Sequence, residues 1–174
     1  MIVAHVTDHV SHQREADLYQ PLLYLFRHYP RVFAEVPFFR KHIDLVFATS
    51  NLLRLYAVET KLRRWRSALK QAALNQLAAQ YSYVALPARL AERLAECEST
   101  LFASYGVGLV AVSKTARILI PAARNGYFSA RHYRALKDTL TRASRTQNPQ
   151  KMGVLADALT KRSRSVVFLQ ARAQ

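Results

Sequence analysis

The sequence predicts an α/β chain, a mixed β-sheet flanked by helices and followed by a basic, mainly helical C-terminal extension. Three observations lead there. Of 174 residues 51% are hydrophobic, while Gly (4) and Pro (6) are scarce, so the chain can bury a sizeable core and is not disordered over most of its length. The apolar period switches between helical and strand-like along the chain. The segment Leu52–Val58 is apolar on both parities apart from Arg54, as in a central strand covered on both faces.

From Asp17 to Tyr29, Leu18, Leu22, Leu25, Phe26 and Tyr29 fall at helical spacing, with Pro21 acceptable near a first turn and Pro30 ending the helix. Two β-like runs follow, Val32–Phe38 and His42–Ala48, and Ser50-Asn51 turns the chain into the Leu52–Val58 strand. Trp65, Ala68, Leu69, Ala72, Ala73, Gln76 and Ala79 then form one helical face. Tyr81–Pro87 reads as a strand, Ala88–Ser104 as a helix, and Gly106–Ser113 with Ala116–Pro121 as a closing strand pair. Three consecutive strands followed by β-α alternation imply a mixed sheet. Beyond Arg124, helical stretches at 129–143 and 151–162 flank the turn-like 144–149, and a β-branched run begins at Val166. This region reads either as a packed extension or as a small helical DNA-binding element. The expected division is a core at 1–122 and an extension at 123–174.

The formal charge is +15, with 26 Lys/Arg against 11 Asp/Glu, which favours polyanions and nucleic acid first. Residues 123–174 alone carry +9, more than half of the excess. Arg63, Arg64, Arg124, Arg131, Arg134, Lys161, Arg162 and Arg164 are the candidate phosphate contacts, with Tyr127, Phe128 and Tyr133 interleaved either as base-stacking surfaces or as packing of the tail on the core. No apolar run approaches the roughly 20 residues of a membrane span, so no membrane partner is expected. The first residues lack the pattern of a signal peptide, and a single cysteine, Cys97, fits a reducing compartment. A cytoplasmic location is the resulting expectation. Cys97 lies between Glu96 and Glu98, which disfavours its thiolate, and is read as structural. His5, His9 and His12 have metal-compatible spacing but read as part of a basic arm, and Gly106-x-Gly108 precedes a strand and so is no phosphate-cradling loop.

In a chain this poor in acid the carboxylates are informative. Asp44 interrupts the apolar run Ile43…Leu45-Val46-Phe47, and Glu59 and Lys61 close the apolar strand that ends Leu55-Tyr-Ala-Val58. Two apart in a strand, Glu59 and Lys61 share a face, as an ion pair at a sheet edge or as parts of a site. Burying either charge alone costs on the order of several kcal/mol.

The order helix, strand, strand with Asp44, turn, strand ending Glu59-Thr60-Lys61, amphipathic helix resembles the PD-(D/E)XK nuclease superfamily over residues 12–122. The matching residues are Asp44 in Lys41-His-Ile-Asp-Leu-Val46, the triplet Glu59-Thr-Lys61, and Gln71 on the following helix. Ile43 stands where that family's name-giving proline falls, and the triplet is Glu-x-Lys. The resemblance implies a restriction-endonuclease-like α/β/α core and a metal-dependent phosphodiesterase acting most directly on DNA, with RNA as the other candidate. It further implies Mg²⁺, with Mn²⁺ as substitute, held by Asp44, Glu59, the Thr60 carbonyl and Glu15. Lys61 would assist the attacking water or the transition state, and Gln71 would contact substrate. Glu35, two residues before Pro37, is a weaker candidate for the same site. The competing expectation is a non-catalytic nucleic-acid-binding module of the same fold in a larger assembly, and cutting both strands of a duplex would suit a homodimer.

Overall fold

The computed structural model describes residues 14–124, 126–145 and 166–168. A 3-10 turn at Glu15–Leu18 leads into α1 (Tyr19–Leu25), followed by β1 (Arg31–Phe38), β2 (Lys41–Ala48) and β3 (Leu55–Thr60). Then come α2 (Trp65–Asn75), β4 (Tyr81–Pro87), α3 (Ala88–Cys97), α4 (Ser99–Tyr105), β5 (Gly108–Val112), β6 (Ala116–Ile120), α5 (Ala130–Arg145) and the short β7 (Val166–Phe168). The second expected tail helix, 151–162, lies outside the described residues, as do His5, His9 and His12.

The first six strands form one mixed sheet in the order β6-β5-β4-β3-β2-β1, and β7 adds beside β1. β1–β2, β2–β3 and β5–β6 are antiparallel, whereas β3–β4 and β4–β5 are parallel. Each parallel step needs a crossover long enough to return the chain, and α2 and the α3–α4 pair supply them. β3 is buried along its whole length, as a central strand requires.

Helices cover both faces of the sheet. The 3-10 turn and α1 bury Leu18, Tyr19, Leu22 and Phe26 on one face, against Phe47, Val58 and Tyr83 among others. On the opposite face α2, α3 and α4 pack Trp65, Leu69, Leu94 and Phe102 on β4 and β5. Beside them α5 sets Leu136, Leu140 and Ala143 over Phe33, Val46 and Leu55. The first tail helix is therefore packed on the sheet, tied further by Tyr133 Oη donating to the Leu52 carbonyl (2.9 Å) and Arg31 to Ser144 Oγ (3.0 Å).

Three local expectations are corrected. Leu52 belongs to the β2–β3 turn, with φ +56°, because Leu53 N donates to Asn51 Oδ1 and the Leu52 amide donates to the Thr49 carbonyl, closing a tight loop. The single helix expected over 88–104 breaks at Glu98, whose backbone (φ −129°, ψ 13°) leaves the helical region and ends α3, and Ser99-Thr100 starts α4, since hydroxyl residues favour helix starts over interiors. Cys97 is exposed at the end of α3, its Sγ donating to the Arg93 carbonyl, and takes no part in the core. The two close glycines have separate structural duties. Gly106 (φ +64°) ends α4 in the left-handed conformation, and a Cβ at Gly108 would collide with the Tyr83 ring.

One irregularity in the sheet positions the acids. The pairs Ala34↔Leu45 and Val36↔Ile43 bracket Glu35 and Asp44, which therefore stand opposite each other. Residues two apart in a strand should share a face. Here Ala34 and Leu45 pack on the α1 face, but Val36 and Ile43 pack on the other. Glu35 absorbs the reversal at φ +52°. On both strands, alternation resumes only past this pair.

Candidate active site

Glu35 and Asp44, inside β1 and β2, stand near the end of β3 and the 3-10 turn. Asp44 Oδ2 accepts from the Thr60 amide (2.7 Å) and the Thr60 hydroxyl (2.8 Å). Glu35 Oε1 accepts from Tyr19 Oη at 2.9 Å. Lys61 Nζ lies 2.7 Å from Glu15 Oε2 and 3.7 Å from Asp44 Oδ2, and donates to the Thr60 carbonyl at 2.8 Å. Asp44 and Lys61 keep some exposure, with side chains 14% and 20% accessible, so solvent reaches this side of the site.

Glu59 differs. It is fully buried, and Asn75 Nδ2 on α2 donates to its Oε1 at 2.7 Å. Its Oε2 is buried with no hydrogen-bond partner. Burial first, and then the Asp44 charge, push the Glu59 carboxyl up to about 8 against the Asn75 hydrogen bond and the Lys61 charge. Lys61 moves the other way. Burial works against its charged form, but the hydrogen bond to Glu15 and the charges of Asp44, Glu15 and Glu59 prevail and hold the ammonium above its ordinary value. The Tyr19 phenol is raised by burial and by the Asp44 and Glu35 charges, so it remains a neutral donor.

The structure thus groups Asp44, Thr60, Lys61 and Glu15 in one bonded network, with Glu59 coupled to it through charge. Glu59 and Lys61 do not form the expected same-face pair. β3 ends at Thr60, after which Lys61 turns toward Glu15 on the α1 side, while Glu59 lies beneath α2. Gln71 lines a cleft between α2 and the β1–β2 tip together with Asn75, one helical turn away. Arg63, Arg64, Arg124, Arg131 and Arg134 are all exposed, whereas Lys161, Arg162 and Arg164 lie outside the described residues. Among the described residues no three His, Cys, Asp or Glu side chains converge as a metal-holding group.

Sequence reasoning missed Tyr19 and Asn75. Each stands four residues after a residue it had singled out, Glu15 and Gln71, and the i, i+4 spacing on a helical face was the available signal.

No family model matches the chain, and no curated protein matches it. Among solved structures it is similar to the SPO1766 protein of unknown function from Silicibacter pomeroyi. The TM-score is 0.57 at 16% identity, over 83% of this chain and 99% of that one. At that identity the likeness is one of fold. Among the described residues no helix is long and apolar enough to cross a membrane.

Proposed function

We propose that the chain is a divergent PD-(D/E)XK-type nuclease, a metal-dependent phosphodiesterase acting on DNA. One observation carries the reading: in a chain of charge +15 with only 11 acids, Glu15 and Asp44 pair with Lys61 at the end of β3, and the buried Glu59 couples by charge to Asp44, Lys61 and Glu35. Like charges so placed repel, and Glu59 leaves one buried oxygen without a partner. A divalent cation would relieve both defects.

The donor set fits Mg²⁺, or Mn²⁺ in its place. Mg²⁺ takes one or two protein carboxylates and keeps water and phosphate oxygens, so a three-acid cage is not required. Asp44 and Glu59 would hold it. The Thr60 carbonyl has two lone pairs, and its bond to Lys61 leaves one for a third ligand. Glu15, salt-bridged to Lys61, supports the site from the side. When bound, the ion supplies Lewis-acid polarisation of the phosphate and lowers the pKa of a coordinated water. Lys61 stays protonated, so it orients the nucleophile or neutralises developing phosphorane charge and does not act as a general base. Tyr19 and the Thr60 hydroxyl fix Glu35 and Asp44 as donors to them. The exposed arginines Arg63 and Arg64, two and three residues after Lys61, would meet the flanking phosphates.

The same geometry favours one alternative, a non-catalytic nucleic-acid-binding module of this fold. Glu59 is closed from solvent, and Asp44 and Lys61 are already satisfied within the chain. The two readings part on cleavage. Supercoiled, linear, single-stranded and branched DNA, and RNA, are incubated with the protein in Mg²⁺, Mn²⁺ or EDTA. The nuclease reading expects metal-dependent cutting of at least one substrate. Folded protein that binds these substrates and cuts none would leave the binding module.

A further inference from the structure

The tip of the β1–β2 hairpin breaks two local rules at one residue. Phe38 pairs with Lys41, so Phe39-Arg40 is a two-residue loop, and Phe39 has φ +54°. Glycine is the usual residue at such a position, because an L side chain is strained there. Phe39 is also 61% exposed. Both the backbone and the hydration of the tip would be more favourable with glycine. An exposed aromatic held in a strained conformation points to a use outside the fold.

Its surroundings indicate that use. On one side a cleft of about 280 Å³ runs between Phe39 and α2, lined also by Arg40, Lys41, Gln71, Leu74 and Asn75. Asn75 is the residue that holds the Glu59 carboxylate, so this cleft opens one side chain from the acidic site. On the other side a cleft of about 200 Å³ separates the tip from α5, and the His132 ring lies 5.0 Å from that of Phe39. Arg40, Lys41, Arg131 and Arg134 are exposed, and no acidic residue lines either cleft.

We propose that Phe39 and its α2-side cleft form a base-stacking subsite for single-stranded DNA. This rests on the nucleic-acid reading above and names the substrate class of that site as unpaired strands. The Phe39 ring stacks on one base, Leu74 and Gln71 offer it an apolar wall and an amide, and Arg40 and Lys41 take the adjoining phosphates. Bases in a duplex are stacked on their own neighbours and present only edges, so a stacking ridge of this kind favours unpaired nucleotides. The cationic surround complements a phosphate backbone better than it does an apolar protein surface.

The test is a binding measurement in EDTA, which reads no cleavage. Fluorescence anisotropy compares a labelled thymidine oligonucleotide of about twelve nucleotides with a hairpin duplex of similar length. The wild type is run beside Phe39→Gly and Phe39→Trp, each with a thermal melt. Phe39→Gly should melt no lower than wild type yet lose about tenfold in single-strand affinity, with duplex affinity changed less than twofold. Phe39→Trp should retain single-strand binding. Wild-type single-strand affinity in Phe39→Gly would overturn the proposal, as would an equal loss on duplex, or a Phe39→Trp protein that binds single strands no better than Phe39→Gly. A protein that cuts metal-dependently but binds without regard to Phe39 sinks the subsite alone. Phe39-dependent binding without cutting sinks only the nuclease reading.

Discussion

Lys61→Met should lower the rate of metal-dependent cleavage by about 10²–10³-fold while leaving DNA binding in EDTA near wild type. The magnitude is that of removing one preorganised charge from a transition state that gathers negative charge on phosphate oxygens. Methionine keeps most of the aliphatic stem, so packing at the end of β3 is disturbed little. Lys61→Arg should recover only part of the loss, because a planar fork does not reproduce a compact ammonium placed between Glu15, Asp44 and the Thr60 carbonyl. Single-turnover rates on the best substrate, with affinity measured separately, distinguish a chemical defect from a binding one. Equal rates in Lys61→Met and wild type would remove Lys61 from the reaction.

Glu59→Gln should stabilise the metal-free protein at pH 8 and above. The sign follows from proton linkage. Folding raises the Glu59 carboxyl from 4.5 to about 8, so the folded state holds a proton that the unfolded state releases over that range. Its contribution is complete below pH 4.5 and is lost as pH rises through about 8. Glutamine imitates the protonated acid. Its carbonyl accepts from Asn75 where Glu59 Oε1 does, and no charge has to be buried. At about 1.36 kcal/mol per pKa unit, the variant should exceed wild type by on the order of 3–5 kcal/mol at high pH and match it near pH 4.5. Urea unfolding across pH, in EDTA, reads this directly. A variant less stable than wild type at pH 8 would mean that Glu59 is ionised and compensated in the fold.

Much of the architecture was legible because strong periodic signals carry it. β3 announced itself by apolar residues on both parities, and α2 by a single stripe beginning at Trp65. The face of α5 was legible too, since Leu136, Leu140 and Ala143 stand at i, i+4 and i+7 and bury together, although its charge drew attention to the opposite side. The break at Glu98 and the turn at Leu52 depend on backbone angles that neighbouring contacts select, which apolar periodicity does not report. The candidate site was legible in its residues and less so in its geometry. Strand alternation puts Glu59 and Lys61 on one face, but that rule ends where β3 ends, one residue before Lys61. Nor does any local pattern announce the reversal at Glu35 and Asp44, which needs both strands to slip together.

Whether these carboxylates hold a divalent cation can be tested without knowing the substrate. Mn²⁺ and Mg²⁺ are titrated calorimetrically into wild-type protein, Glu59→Gln and Asp44→Asn, with melting temperatures taken alongside. Wild type should bind saturably and melt at a higher temperature with the ion, and both effects should be lost in either variant. A wild-type protein that takes up neither ion through the millimolar range, or whose binding survives both substitutions unchanged, would contradict metal binding by these carboxylates.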